Sequence, residues 1–129
     1  MTTGKCVLVV DDIPSNRLTA QALLERQGWA VLTASDGRTA LETLETAHCD
    51  LVLLDISMPG MSGMEVCQNI RANAAISGVP VIAYTAHAQP EDRRNFIASG
   101  FDEVLVKPIS VEKLAAALAA VVQNRGGSL

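Results

Sequence analysis

Aromatic side chains are nearly missing from this chain: two Phe, one Trp and one Tyr among 129 residues. A core must therefore be built from Leu, Val, Ile and Ala. Basic clusters are missing as well, and a formal net charge of −4 argues against a standing surface for nucleic acid or anionic membrane. Cysteine is sparse: Cys6, Cys49 and Cys67 are odd in number, widely separated and contain no Cys-x-x-Cys pair. That pattern excludes a disulfide framework and a zinc site, and leaves free buried thiols in a reducing compartment. No run reaches transmembrane length, and MTTGK leads straight into a strand without the apolar stretch of a signal peptide. The expected setting is cytoplasmic, with no membrane and no direct nucleic-acid partner. Repeats, low-complexity tracts and interdomain linkers are absent too. What the chain has in quantity is apolar residues, 49% of the total, enough for the packed core of one domain.

Those apolar residues fall into short β-rich runs that alternate with amphipathic stretches. CVLVV (6–10) precedes a helix from Pro14 to Gln27, WAVLTA (29–34) one from Arg38 to Ala47, and DLVLLD (50–55) one from Gly63 to Asn73. VPVIAYT (79–85) precedes a helix from Pro90 to Ser99, and DEVLVK (102–107) one from Ser110 to Asn124. Pro14 and Pro90 suit first helical turns, and Gly28 and Gly100 suit helix ends. In the last stretch Val111, Leu114, Leu118 and Val121 recur at helical spacing. Near-continuous apolar strands separated by helices predict a parallel sheet covered on both faces, a doubly wound α/β three-layer sandwich. The domain is expected over 1–124, with 125–129 as a short tail too small to hold an output domain.

In such a sheet the carboxyl ends of the strands share one edge, where ligands bind. Asp11 and Asp12 follow the first strand, Asp55 ends the third, Thr85 ends the fourth and Lys107 ends the fifth. Taken singly these residues have plain readings. Asp11 and Asp12 suit a helix N-cap pair before Pro14, Asp55 a turn into Pro59-Gly60, Thr85 a strand-end hydroxyl, and Lys107 a solvated surface charge. Taken together they form one constellation of three acids, a hydroxyl and an ammonium. Two unit charges ~4 Å apart repel by ~4 kcal/mol at an effective dielectric of 20. Three such contacts rival the ~5–15 kcal/mol margin of a domain, so a cation belongs among them. Lys107 offsets one charge. An all-oxygen, negatively charged donor set suits Mg²⁺, which takes a few carboxylates, waters and a phosphate oxygen.

VLVVDD (7–12), LVLLDISMPGMSG (51–63), VIAYTAHA (81–88) and VLVKPI (104–109) resemble, in order and spacing, the receiver domains of two-component response regulators. The resemblance covers nearly the whole chain, and PSNR (14–17) with TAHA (85–88) is most similar to receivers that belong to or work with hybrid sensor kinases. It implies a CheY-like, flavodoxin-type sheet of five strands in the order 2-1-3-4-5 with five helices. It also implies that Asp55 is the phosphoacceptor, taking a phosphoryl group from a histidine kinase or a histidine phosphotransfer protein. Asp12, Asp55 and the backbone carbonyl of Ser57 would bind Mg²⁺, with Asp11 acting through water. Thr85 and Lys107 would each engage a phosphoryl oxygen, and Lys107-Pro108 would be cis.

By the same resemblance His87, with Ser57, flanks the path of a hydrolytic water. Val104 stands where many receivers carry a switching aromatic. The implied activity is a signalling switch that catalyses only its own phosphorylation and dephosphorylation, not a free-standing enzyme. A downstream protein or an attached output domain would read it, and phosphorylation-dependent dimerisation is compatible with it. The donor would dock near Ile13, Pro14, Arg17, Leu18 and Pro108. Two alternatives share the fold or the chemistry. A flavodoxin-like flavin binder would meet two acids in DDIPSN (11–16), where its phosphate needs amides and hydroxyls. A small aspartate-nucleophile phosphatase would lack a substrate pocket in so short a chain. His48 reads as a surface or helix-end histidine, and Met58, Met61 and Met64 as packing around the loop after Asp55.

Overall fold

The computed structural model describes residues 5–86 and 88–124; His87, with its expected role, and the expected tail 125–129 lie outside the described residues. Five strands and five helices alternate strictly: β1 (Cys6–Val10), α1 (Pro14–Arg26), β2 (Ala30–Ala34), α2 (Gly37–Thr46), β3 (Leu51–Asp55), α3 (Gly63–Ala72), β4 (Val81–Thr85), α4 (Pro90–Ala98), β5 (Glu103–Val106) and α5 (Val111–Asn124). The strands form one parallel sheet in the order β2-β1-β3-β4-β5. This is the expected doubly wound arrangement, with element limits within a residue or two of those read from the sequence.

The strands are apolar because both faces are covered, and alternate residues serve opposite layers. Leu8, Val10, Val52, Leu54, Val81 and Ala83 pack with Ala40 and Leu44 of α2 and with Val66, Cys67 and Ile70 of α3. Val7, Val9, Leu51, Leu53, Ile82 and Tyr84 pack with Ala20 and Leu24 of α1 and with Leu114, Ala117 and Val121 of α5. Each fully buried aliphatic side chain contributes roughly 1.5–3 kcal/mol of transfer free energy. The two layers of side chains fix strand register, since a one-residue slip would exchange them.

Local signals set the helix ends. Pro14 and Pro90 open α1 and α4, and Ser62 and Glu65 close a capping box on α3, with Ser62 N–H donating to Glu65 Oε1 at 3.1 Å. Gly28 and Gly100 follow α1 and α4 with φ of 90° and 112°, a left-handed conformation that a Cβ resists. Met58 is buried, with Met61 and Met64 packed beside it under the α2–α3 layer, as expected. All three cysteines are free, and burial, followed by the neighbouring Cys6, pushes the Cys49 thiol up to about 12. Among the described residues no helix is long and apolar enough to cross a membrane.

Candidate functional site

Parallel strand direction delivers the ends of β1, β3, β4 and β5 to one edge, and the predicted residues meet there. One carboxylate oxygen each from Asp11, Asp12 and Asp55 lies within 4.8 Å of the other two. Lys107 Nζ stands 3.2 Å from Asp55 Oδ1 and 3.7 Å from Asp11 Oδ2. Thr85 is the residue after Tyr84, which pairs with Asp55 across β3 and β4, and the Thr85 carbonyl accepts from Lys107 N–H at 2.7 Å. The Lys107-Pro108 bond is cis.

The reading of Asp11 and Asp12 as a helix cap does not survive. The N-cap of α1 is Ile13, with no side-chain cap, and Asp11 Oδ1 instead accepts from the Ile13 amide at 2.9 Å. Arg17 turns back from α1 to donate to the Asp11 carbonyl at 2.8 Å, which anchors the turn between strand and helix. Asp11 is fully buried and Asp55 only 2% exposed. Burial in an apolar sheet pushes the Asp55 carboxyl above its ordinary value, and the charge of Asp11 pushes it further. The ammonium of Lys107 and the Ser57 amide, which donates to Asp55 Oδ1 at 3.2 Å, oppose that rise.

Asp11 Oδ2 and Asp12 Oδ1 are buried without a hydrogen-bond donor. Buried carboxylate oxygens without donors are expensive, and three carboxylates face a single ammonium. The donor set is all oxygen, compact and negative, which fits a hard divalent cation. The apolar strand residues Leu51 to Leu54 lead up to Asp55 from the core, and the segment that begins with Ile56 and Ser57 leaves it on the other side.

Two residues shape the edge through contacts that the sequence does not reveal. Gly63, the first residue of α3, lies against the backbone after Asp55. A Cβ there would overlap the Asp55 carbonyl oxygen and sit 2.8 Å from Ile56 Cα, and Gly63 N–H donates to Ile56 O at 3.0 Å. Only the absence of a side chain lets α3 begin that close to the Asp55 loop. The other is Tyr84, whose ring lies 4.7 Å from Lys107 Nζ. The sequence marks Gly63 as a helix start, but nothing local marks it as touching Asp55.

His48 pairs with Asp50 at 2.9 Å on the opposite edge and joins no metal-ligating group among the described residues. Val104 is half-buried against the α2–α3 layer. Two rings belong to the same cluster, Phe96 of α4 and Phe101 before β5, edge to face with centroids 5.8 Å apart.

Comparison with known proteins agrees with this geometry. A family model described as the response regulator receiver domain matches residues 7–119. The sensor protein GacS of Pseudomonas syringae pv. syringae is 43% identical over 112 residues, covering 84% of this chain and 12% of that protein. The probable transcriptional regulator ycf27 of Guillardia theta is 40% identical over 124 residues, covering 96% of this chain and 48% of that protein. The chain thus spans an eighth to a half of the length of these relatives. Among solved structures, the chemotaxis response regulator CheY4 of Vibrio cholerae superimposes with a TM-score of 0.85 at 34% identity, covering 92% of this chain and 99% of that one.

Proposed function

The chain belongs to the response regulator receiver family, and on that premise we propose that Asp55 accepts a phosphoryl group from a phosphohistidine donor. The donor is a histidine kinase or a histidine phosphotransfer protein. The observation that carries the reading is Asp55 itself, a buried carboxyl at a sheet edge, held by Lys107 and beside two acid oxygens that lack donors. An Asp55 carboxylate oxygen attacks phosphorus, the bond from phosphorus to the imidazole nitrogen breaks, and the imidazole leaves with the electron pair. The product on Asp55 is an acyl phosphate.

Asp12, Asp55 and the backbone carbonyl of Ser57 would hold Mg²⁺, with Asp11 acting through water; when bound, the ion supplies charge neutralisation at the transferring group. Lys107 leaves its carboxylate contacts to pair with one phosphoryl oxygen, and Thr85 hydrogen-bonds another. Both contacts exist only after transfer, so they shift the conformational equilibrium by their differential energy, a few kcal/mol at most. With Val104 in the switch position, the response centres on Thr85 and its loop more than on the α4–β5–α5 face.

The donor docks over the exposed Ile13 and Leu18, beside Pro14, Arg17 and Pro108. Residues 1–124 act as the domain and 125–129 as its tail. The reader is a downstream protein or an output domain in a longer chain, and the domain acts as a switch without turnover of a separate substrate. A flavin phosphate would face Asp11 and Asp12 where it needs donors, which disfavours that alternative.

Incubation with acetyl phosphate and Mg²⁺, followed by intact mass, tests the reading. A magnesium-dependent phosphoryl adduct is expected on wild type and not on Asp55→Ala; an adduct that persists in the variant places the site elsewhere. His87 is proposed to tune adduct lifetime, and an unchanged dephosphorylation rate in His87→Ala would remove it from the mechanism.

A further inference from the structure

We propose that Tyr84 is a positioning residue for Lys107, its ring serving as the platform that holds the ammonium over the phosphoacceptor edge. The proposal rests on the reading of Lys107 as the group that pairs with a phosphoryl oxygen.

Tyr84 is the single tyrosine of the chain and stands in an otherwise small or aliphatic strand, VIAYT (81–85). At 3% exposure it packs in the layer between the sheet and the α1 and α5 helices. A phenylalanine would fill the same core volume, so packing alone does not distinguish the ring's two roles. The specific observation is the ammonium 4.7 Å from its centroid, a cation–π distance. The Lys107 side chain is only 22% exposed, so this contact is partly desolvated. Burial raises the phenol above its ordinary value, as do the charges of Asp11 and Asp55, while a hydrogen bond with the Ile109 backbone opposes them. The geometry is independent of that shift: Tyr84 lies under the ammonium and shares a groove with Pro108 and Ile109 of the turn that follows it. The same residue lines a groove of about 380 Å³ with Asn16, Thr19, Lys107, Pro108 and Ile109, which opens beside the site.

The physical reason for a ring is the lysine's task. Its four-carbon stem is flexible, and its ammonium must leave Asp11 and Asp55 Oδ1 for a phosphoryl oxygen on Asp55. A directional hydrogen bond would break during that move, whereas the face of a π system attracts a cation over a broad area. The ring therefore confines Lys107 to the edge in both states.

The test combines kinetics with a direct view of the contact. Phosphorylation rates with acetyl phosphate and Mg²⁺ are measured for wild type, Tyr84→Phe, Tyr84→Leu, Lys107→Ala and the Tyr84→Leu/Lys107→Ala double variant. Tyr84→Leu is expected to slow transfer roughly 3- to 30-fold, Tyr84→Phe less than about 2-fold, and Tyr84→Leu to have no further effect once Lys107 is gone. In NMR spectra the Lys107 ε-methylene resonance should be ring-shifted in wild type and Tyr84→Phe and should lose that shift in Tyr84→Leu. An equal loss in both Lys107 backgrounds, or an ε-methylene resonance indifferent to Tyr84→Leu, overturns the positioning role. If wild type forms no adduct at all, the phosphoacceptor reading fails and the role in transfer with it, while the resonances still report separately on the ring contact.

Discussion

At the amino edge of the sheet Asp50 and Asp102 are supplied with donors, whereas at the carboxyl edge Asp11, Asp12 and Asp55 crowd one another around a single lysine. Asp50, just before β3, accepts from Cys6 N–H at 2.9 Å and pairs with His48 at 2.9 Å. Asp102, just before β5, accepts from Val81 N–H at 2.8 Å and from Arg71 Nη2 at 2.9 Å. Strand polarity explains part of the difference. The starting ends of parallel strands present amide N–H groups, which an acid satisfies, while the finishing ends present carbonyls, which it does not. At the carboxyl edge, among the described residues, the loop amides of Ile13 and Ser57 donate to Asp11 and Asp55, and the Lys107 ammonium donates to Asp55. The same residue type is therefore satisfied by donors at one edge and short of them at the other, where the proposed function places a cation and a phosphoryl group. The amino edge also has a cleft of about 400 Å³ beside His48, Cys49 and Asp50, where the His48 and Asp50 side chains pair with each other.

Arg71→Ala should break the satisfied edge with the largest effect. Arg71 also donates to the carbonyls of Ser77, Val79 and Gly100, so its loss strands several acceptors and the Asp102 carboxylate together. A stability loss of ~2–4 kcal/mol in urea unfolding is expected, with the Asp55 site still able to form its adduct. Mg²⁺ should act on the other edge alone. At a hundredfold excess over its Kd it should raise stability by ~2.7 kcal/mol, and Asp12→Ala or a chelator should remove that gain.

Charge removal sharpens the contrast because the two edges carry opposite signs. Asp55 has a raised pKa in the fold, so its ionisation opposes folding; that penalty is absent well below 3.8 and grows as pH rises through and above it. Asp55→Asn should therefore stabilise the metal-free protein at pH 7 by ~1–2 kcal/mol, and the gap should close on acidification. At Asp50 burial pushes the pKa up, but the Cys6 amide and His48 outweigh it and leave the value lowered. Its stabilisation is present above 3.8 and disappears as pH falls through the lower folded value. Asp50→Asn should cost about 0.5–1 kcal/mol at pH 7, the reverse sign, again converging at low pH. Thermal unfolding across pH 3 to 7 compares the two directly; equal signs would dissolve the distinction between the edges.

Much of this was legible beforehand for a plain reason. Val, Leu and Ile runs broken by Pro14, Gly28, Pro90 and Gly100 state the element order, and parallel strands then bring residues at strand ends together regardless of their separation in sequence. Asp11, Asp12, Asp55, Thr85 and Lys107 were found that way. Gly63 and Tyr84 were not, because their importance lies in what they touch. Gly63 is one glycine after a serine cap until α3 is laid against the Asp55 carbonyl, and Tyr84 is one core residue until Lys107 lies over its ring.

The sequence by itself determined the alternation of five strands and five helices, the edge on which the acids gather, and the family to which the pattern points. The alternation and the edge follow from periodicity, punctuation and strand direction, which are local or topological, and the family from the resemblance of four ordered motifs to receiver domains. Only the tertiary structure decided that Asp11 faces the sheet edge instead of capping α1, that Asp50 and Asp102 are satisfied, and that Lys107 shares its ammonium among two carboxylates and a ring. Burial, hydrogen-bond supply and charge compensation are sums over neighbours from distant parts of the chain, and those neighbours exist only once the sheet has formed.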